Sequence, residues 1–160
     1  MAFEHVRVAI PADANVIIGQ SHFIKTAEDL YEVMVTSVPQ AAFGLAFNEA
    51  SGPCLIRVEG NDAELQRAAV ETASALGAGH VFVLFMRNAF PIGVLDRIKA
   101  CPEVCRVFCA TANPLEVIVA RSPQGAGVVG VIDGSSPAGV EQDADRESRR
   151  AFLRQIGYKR

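Results

Sequence analysis

The chain has 160 residues and a formal net charge of −3 at pH 7, and half of its residues are hydrophobic. This length suits one domain with a substantial core, and the charge gives no basic face for nucleic acid. No apolar run approaches the roughly 20 residues of a membrane span, and residues 1–7 lack the basic and apolar regions of a signal peptide. The sequence therefore predicts one cytoplasmic domain over residues 1–160, with neither nucleic acid nor membrane as a partner.

The first part of the chain predicts two strands and a helix. Residues 3–10 alternate apolar and polar side chains, which is typical of a half-buried strand with His5 on its solvent side. The apolar run within 15–19 predicts a buried strand. An apolar stripe at helical spacing follows over 27–37 and predicts a helix that Pro39 ends.

The rest of the chain predicts further strands and three more helices. Asn61 with Glu64 forms a predicted capping box for a helix that ends at Gly77. The apolar runs and turn residues predict a hairpin (41–48 with 54–58), strands at 81–86, 104–110, 115–120 and 128–132, a helix that begins near Pro91, and a charged helix over 141–156. The resulting order, β-β-α-β-β-α-β-α-β-β-β-α, indicates an α/β (α+β) fold in which helices pack on a mixed sheet.

Three of the four cysteines are spaced by four residues, which is a spacing that can indicate a metal site. A structural metal site needs a second pair of ligands further along the chain, and the sequence has none. Alternation along the predicted strand would place Cys105 and Cys109 on one face with Val107. The sequence therefore predicts that Cys54, Cys101, Cys105 and Cys109 are small buried thiols, and that the protein binds no metal.

The segment 19–26 joins a predicted buried strand to the first predicted helix. Gly19 lets the backbone turn, and Thr26 opens the helix with Asp29 as its predicted capping-box partner. The N–H groups at the start of a helix attract anions, so a phosphate is the natural ligand of this turn. An ordinary connection whose polar residues face water is the alternative interpretation. The polar side chains of the turn are Gln20, Ser21, His22 and Lys25.

Other polar residues lie in short loops that follow or precede apolar strands. Strand ends that share one edge of a sheet bring their loops to one cleft, where small ligands commonly bind. The loops at 20–25, 48–52, 87–88, 111–113 and 133–136 and strand residue 106 supply the candidate ligand-binding residues. These candidates are Gln20, Ser21, Asn48, Glu49, Ser51, Arg87, Arg106, Thr111, Asn113 and Asp133. Glu49 and Ser51 are equally consistent with plain turn residues.

The sequence lacks a standard nucleotide-binding loop. It contains no Gly-x4-Gly-Lys-Ser/Thr loop and no Gly-x-Ser-x-Gly elbow, and its Gly-x-Gly-x-x-Gly match at 125–130 continues into a predicted strand instead of opening a helix. A nucleotide would therefore not be held by a P-loop or a dinucleotide fold, and the sequence predicts no cofactor.

Several segments together resemble the adenosine-specific kinase family. The most distinctive is Gly-Gln-Ser-His-Phe-Ile-Lys-Thr at 19–26, and the similarity covers nearly the whole chain. The matching segments are 15–26, 43–52, 77–80, 89–91, 102–114, 131–134 and 152–158.

The resemblance implies a protein that binds adenosine and AMP in preference to ADP and ATP. It also implies a histidine that carries a stable phosphoryl group, and a homo-oligomer that is a trimer or a multiple of one. His22 and His80 both lie in matching segments, so both are candidate catalytic residues with Lys25. Lys25 and the adjacent helix start favour His22, because a phosphoryl group needs cations or N–H donors around it. The cations expected to reach a phosphate are Lys25, Arg87 and Arg106.

Two functions and two departures from the family pattern follow from this resemblance. The chain is either an enzyme that passes a phosphoryl group from histidine to adenosine, or a module that binds adenosine or AMP without turnover. Asn88 stands where the family pattern has Asp, and Ala126 stands in a Gly-x-Gly turn where it has Arg. Where such a charge contacts ligand or phosphate, its loss weakens or changes the activity.

Overall fold

The computed structural model describes residues 2–160, which form eight strands and four α-helices. The strands are β1 (Ala2–Val8), β2 (Asn15–Ser21), β3 (Ala42–Asn48), β4 (Ile56–Gly60), β5 (Val81–Arg87), β6 (Val104–Thr111), β7 (Leu115–Ser122) and β8 (Gly125–Asp133). The helices are α1 (Thr26–Ser37), α2 (Ala63–Leu76), α3 (Leu95–Lys99) and α4 (Asp143–Gln155), with a 3-10 turn at Pro91–Gly93 before α3. This order confirms the predicted α+β fold.

The strands form two sheets, a large one in the order β4-β3-β5-β2-β6 and a small one in the order β1-β7-β8. Neighbouring strands pair antiparallel in both sheets, whereas the sequence had predicted one mixed sheet. The topology explains the difference. Strands β2 and β3 run in the same direction, but β5 lies between them and pairs antiparallel with each.

The large sheet is covered on both faces, which explains why its central strands are apolar throughout. On one face Ile17 packs in a core with α1 and α3, and on the other Val16 and Ile18 pack with α2 and β7. Helix α2 lies very close to β3: a Cβ atom at Gly44 would stand 2.1 Å from the backbone carbon of Leu65. Glycine at this position is therefore required by the contact between helix and sheet.

The predicted capping box of α1 is wrong. The helix begins after Lys25, which is itself in a helical conformation and makes no side-chain cap. The Thr26 hydroxyl instead donates to the carbonyl oxygen of Phe23 at 2.5 Å, and Asp29 forms an ion pair with Lys25. The turn before α1 is thus already helix-like, and the chain has no extended residue at which a capping box could form.

The predicted cap of α2 is also displaced by one residue. Asp62 is the N-cap, and its carboxylate accepts a hydrogen bond from the Leu65 N–H at 2.9 Å. Asn61 instead ties the helix start to β3, since its side chain accepts from the Phe43 N–H and donates to the Ala41 carbonyl. Helix α2 ends at Gly77 as predicted, with a left-handed φ of 59°.

A bulge in β6 changes the faces on which the cysteines lie. Ile18 pairs with Cys109 but Gly19 pairs with Val107, so Phe108 is an extra residue. Val107 therefore packs on the α1 side while Cys109 packs on the α2 side, and the prediction of a shared face is wrong. Burial raises the pKa of the Cys109 thiol to about 11.

The other cysteines differ in exposure. Cys54 and Cys105 are exposed and Cys101 is partly buried, so the prediction of four buried thiols fails for these residues. Among residues 2–160, no group of three or more His, Cys, Asp or Glu side chains is arranged to hold a metal ion.

The C-terminal helix α4 buries none of its residues. The many charged residues of this segment predict a surface helix, either docked on the domain by Phe152, Leu153 and Ile156 or in contact with a neighbouring subunit. Phe152 is 56% exposed and Ile156 is 43% exposed, so docking within the chain is wrong. Within the part of the chain that the structure describes, no helix is both long enough and apolar enough to cross a membrane.

Candidate functional site

The predicted site residues divide between two opposite ends of the large sheet. Along β2, Gln20 faces Val81 and Arg106, whereas Val16 faces Phe85 and Thr111. The two ends of this strand are roughly 20 Å apart at about 3.3 Å per residue. The polar loops therefore do not all meet in one cleft. We call one end of the sheet the histidine end, and it holds Ser21, His22, His80 and Glu103. We call the other the threonine end, and it holds Arg87, Thr111, Asn113 and Asp133.

At the threonine end, polar side chains bond to one another. The Thr111 hydroxyl donates to Asp133 Oδ1 at 2.7 Å and accepts from the Asn113 N–H at 3.0 Å. The Asn113 side chain also donates to Asp133 Oδ1, at 3.1 Å. This closed network braces the loop between β6 and β7 against the end of β8.

Arg87 belongs to the same end and is also occupied. It donates to the Ala12 carbonyl at 2.8 Å and forms an ion pair with Glu64 at 2.9 Å. The hydrogen bond from Arg87 lowers the pKa of Glu64 below its ordinary value. These contacts tie β5 to α2 and to the loop before β2, and they leave little of the guanidinium for a phosphate.

At the histidine end, backbone hydrogen bonds connect the ends of four adjacent strands. The His80 N–H donates to the Asn48 carbonyl at 2.7 Å, and the Ser21 N–H donates to the His80 carbonyl at 2.9 Å. The His22 N–H donates to the Glu103 carbonyl at 2.7 Å. His80 has a positive φ of 62°, and its ring stacks on Phe47 with ring centroids 5.9 Å apart. The two candidate histidines are thus linked through Ser21.

The His22 side chain is exposed, and free backbone donors follow it directly. The N–H groups of Thr26 and Ala27 donate to the carbonyls of Phe23 and Ile24. The N–H groups at 23–25 have no acceptor within residues 2–160. The anion-attracting donors predicted for this turn therefore exist, but they lie one turn before the first residue of α1.

Lys25 is less available to a phosphate than the sequence suggested. Its ion pair with Asp29 raises its own pKa. Burial acts to raise the pKa of Asp29, but hydrogen bonds from Lys25 and Glu103 together hold it below its ordinary value. The pKa of Glu103 is raised, first by burial and then by its hydrogen bond to Asp29. Glu103 therefore keeps its proton to higher pH than an ordinary glutamate, whereas Asp29 loses its proton more readily than an ordinary aspartate.

Arg106 is the cation that stays free at this end. It faces Gln20 in the strand pairing, is exposed, and makes no ion pair or hydrogen bond to the part of the chain described here. Two buried polar atoms nearby, Ser21 Oγ and Glu103 Oε1, also have no partner within residues 2–160. The histidine end thus combines an exposed imidazole, a free guanidinium, unpaired N–H groups and unsatisfied buried oxygens.

A cleft of about 680 Å³ borders the histidine end on the α2 side of the large sheet. It lies between the β3–β4 loop, the C-terminal end of α2 and the β7–β8 hairpin. Asn48 and Glu49 line it, whereas Ser51 does not. Glu49 accepts from the Leu55 N–H at 2.9 Å and pairs with Arg57 at 3.0 Å, so it fixes the turn, and its pKa is lowered by these bonds.

Sequence reasoning missed Glu103 and Arg121, and no local signal marks either. Glu103 lies just before β6, and only the pairing of β2 with β6 brings its carbonyl to His22. Arg121 lies in the cleft wall, donating to Glu4 at 2.7 Å and to the Leu76 carbonyl at 3.2 Å. Both contacts depend on segments far apart in the chain.

The comparisons with known proteins agree with this architecture. The sequence model of the family described as "Adenosine specific kinase" matches residues 6–159. A search of curated proteins found no match. Among solved structures, the chain is similar to the PH1918 protein from Pyrococcus horikoshii OT3, with 44% sequence identity and a TM-score of 0.95. The similarity covers 99% of this chain and 98% of that one.

Because the family match spans nearly the whole chain, the chain belongs to the adenosine specific kinase family. This membership agrees with the resemblance found in the sequence, and it points to adenosine-related kinase activity. It does not assign the histidine, the ligand contacts or the assembly, so these stay predictions.

Proposed function

We propose that this protein binds adenosine or AMP and carries a phosphoryl group on His22, which it passes to adenosine. The observation that carries the proposal is the set of unpaired groups at the histidine end: the N–H groups at 23–25, which follow the exposed His22, and the guanidinium of Arg106, which pairs with Gln20 in the sheet. A phosphoryl group has roughly −1.5 to −2 charge and needs such donors. The family supplies adenosine as the substrate.

His22 suits this role better than His80. The His80 ring lies half-buried against Phe47, and its backbone N–H and carbonyl are both used between strands. The half-buried ring leaves less room for a phosphoryl group than the exposed ring of His22 does. Lys25 favours His22 by its position in the sequence, but Asp29 offsets the charge of Lys25, so Arg106 is the cation that stabilises the phosphoryl group.

The reaction needs two transfers at one nitrogen. A ring nitrogen of His22 attacks the terminal phosphorus of a nucleoside triphosphate, forming a P–N bond as the P–O bond to the departing diphosphate breaks. A nucleoside hydroxyl oxygen then attacks the same phosphorus, the P–N bond breaks, and the hydroxyl proton leaves to solvent. Arg106 and the free N–H groups would stabilise the charge on the transferring group in both steps.

The alternative is a module that binds adenosine or AMP without turnover. Two observations favour it: the sequence has no phosphate-binding loop, and Lys25 is neutralised by Asp29. A donor triphosphate would then be held weakly, and any phosphohistidine would be incidental.

A phosphopeptide map after incubation with ATP distinguishes these functions. Samples stay at neutral to basic pH because phosphohistidine is acid-labile, and His22→Gln and His80→Gln are mapped beside the unsubstituted protein. We expect a phosphoryl group on His22 that disappears when adenosine is added, with AMP formed. Modification of His80 alone would move the role to that residue. Adenosine binding by calorimetry with neither histidine modified would support the module.

We also propose that the protein is a homo-oligomer, a trimer or a multiple of one. The C-terminal segment supports this, because Phe152 in α4 and Ile156 and Tyr158 just after it are exposed although each is large and apolar. Light scattering should give three times the 17.1 kDa chain mass, or a multiple of that value. A mass of one chain at micromolar concentration would contradict the proposal. A cytoplasmic setting without nucleic acid or membrane partners is part of the same proposal.

A further inference from the structure

We infer that the cleft between α2 and the β7–β8 hairpin holds the unphosphorylated nucleoside, with Asn48 as the residue that recognises one of its hydrogen-bond donors. The identity of the ligand rests on the proposed function. The location does not, because it follows from the shape, charge and unsatisfied polar groups of the cleft itself.

The cleft lies near enough to His22 to serve the same reaction. Asn48 ends β3, His80 precedes β5, and His22 follows β2, and these three strands are neighbours in the large sheet. Two strand spacings separate Asn48 from His22, which is roughly 10 Å. A nucleoside held in the cleft can therefore extend toward the histidine end.

The charges in the cleft wall favour a neutral ligand. Its charged lining residues are Glu49 and Arg121, which are paired with Arg57 and Glu4 respectively. Arg121 also donates to a carbonyl at the end of α2, where the helix dipole is negative. Within the described chain, this wall thus offers no unpaired cation to a phosphate. It suits donor groups such as amines and hydroxyls, which a nucleoside has.

Asn48 supplies an unused acceptor at this wall. Its side chain is buried, and its Nδ2 donates to the carbonyls of Ala73 at 2.9 Å and Ala78 at 3.0 Å. Both amide hydrogens are therefore used, which fixes the amide orientation and leaves Oδ1 as an acceptor. Oδ1 has no partner within residues 2–160. An unpaired buried acceptor costs free energy. A ligand that donates a hydrogen bond to Oδ1 removes this cost and therefore binds more tightly.

The rest of the wall suits a flat, partly apolar ligand. Ala50, Ile56, Ala120 and Ala126 contribute small apolar surfaces, and the volume of about 680 Å³ lies in the usual range of small-molecule sites. Asn48 lines the cleft although its Oδ1 is itself buried, so a ligand donor reaches this atom only when the wall adjusts locally. Signals from this side chain should therefore change when the nucleoside binds.

The test fills the cleft without touching its buried residues. Ser74 is exposed on α2 and lines the cleft, whereas the next residue, Ala75, is exposed but does not line it. We expect Ser74→Trp to weaken adenosine binding at least tenfold by calorimetry, and the matched control Ala75→Trp to bind like the unsubstituted protein. Thermal unfolding of both variants checks that each is folded.

Magnetic resonance of the unsubstituted protein gives a second measurement that needs no variant. Adenosine should shift the Asn48 side-chain amide signals saturably, and inorganic phosphate should neither shift them nor compete with adenosine. Shifts confined to His22 and its neighbours, or unchanged affinity in Ser74→Trp, would overturn the cleft proposal and leave the proposed function standing. If the unsubstituted protein does not bind adenosine, both proposals fail.

Discussion

The two ends of the large sheet carry similar side chains in opposite states. At the threonine end, Thr111, Asn113 and Asp133 satisfy one another, and Arg87 has two partners. At the histidine end, Arg106 has none and the buried Ser21 hydroxyl is unsatisfied within the described residues. Buried polar groups in native proteins are nearly always paired. Unpaired groups concentrated at one end therefore point to ligand binding there, and the paired ones to stability.

Replacing Arg106 should have the largest effect, which is a loss of phosphoryl incorporation, and Arg87 provides its control. Arg106→Ala should reduce phosphoryl incorporation about ten- to hundredfold, because a hydrogen bond to a charged group contributes about 1.5–3 kcal/mol. Its melting temperature should not change, since Arg106 has no partner in the chain as described. Radiolabel from ATP, quantified at basic pH, measures incorporation.

Arg87→Ala is the matched control for this prediction. It removes the bonds to Ala12 and Glu64, so we expect a lower melting temperature with incorporation retained. If the folded Arg87→Ala protein lost incorporation instead, ligand contacts would extend to the threonine end and the contrast between the two ends would fail.

The second largest effect is expected at the threonine end, where removing the Thr111 hydroxyl should lower the free energy of unfolding. Thr111→Val keeps the shape of a residue that is 7% exposed but deletes its bonds to Asp133 and to the Asn113 N–H. We expect a loss of about 1–3 kcal/mol in the free energy of unfolding, measured with urea. Adenosine affinity should be unchanged, and a reduced affinity in the folded variant would contradict the assignment of this network to stability.

Much of the fold could be predicted because apolar runs and turn residues are local signals. The runs at Val16–Ile18 and Val81–Met86 are buried on both faces, as their composition indicates, and the order of elements follows. No local signal in the sequence indicates that β5 lies between β2 and β3 in the large sheet. The bulge at Phe108 has none either, and it alone moves Cys109 to the other face.

The candidate site was less predictable, since it depends on which polar groups find partners. No local pattern distinguishes Arg87 from Arg106 as a phosphate ligand, and only strand pairing and the position of α2 show that Arg87 is occupied. Lys25 is the clearest case. The spacing of Thr26 and Asp29 predicts a capping box, whereas the helix-like turn before α1 places Asp29 against Lys25 instead.

The raised pKa of Glu103 makes the stability of the folded protein depend on pH. Because its pKa is raised above the ordinary 4.5, the folded protein keeps this proton longer than the unfolded chain does. Its contribution to stability is therefore complete below the unfolded pKa and declines as pH rises through the raised value. Asp29 behaves oppositely: with its pKa lowered below 3.8, its contribution is lost as pH falls through the lowered value.

Glu103→Gln keeps the neutral shape at every pH and should remove only the decline at higher pH. We expect the variant to gain stability relative to the unsubstituted protein between pH 4 and pH 8, measured by urea unfolding at both values. The effect is a change in how the free energy of unfolding depends on pH, and it is smaller than the loss of stability in Thr111→Val. A difference between the two proteins that is the same at both pH values would show that Glu103 titrates normally.

Ser21→Ala should give the smallest effect, with a sign opposite to that of Thr111→Val. The Ser21 side chain is 2% exposed, and its hydroxyl has no partner within residues 2–160. Deleting the hydroxyl therefore removes a buried polar group whose desolvation no hydrogen bond offsets. We expect unchanged stability or a gain of up to about 1 kcal/mol by urea unfolding, with the backbone bond to His80 retained. A ligand that uses the hydroxyl would instead show weaker binding at undiminished stability. A loss as large as that in Thr111→Val would mean that a bound water satisfies Ser21, and the hydroxyls at the two ends would then be equivalent.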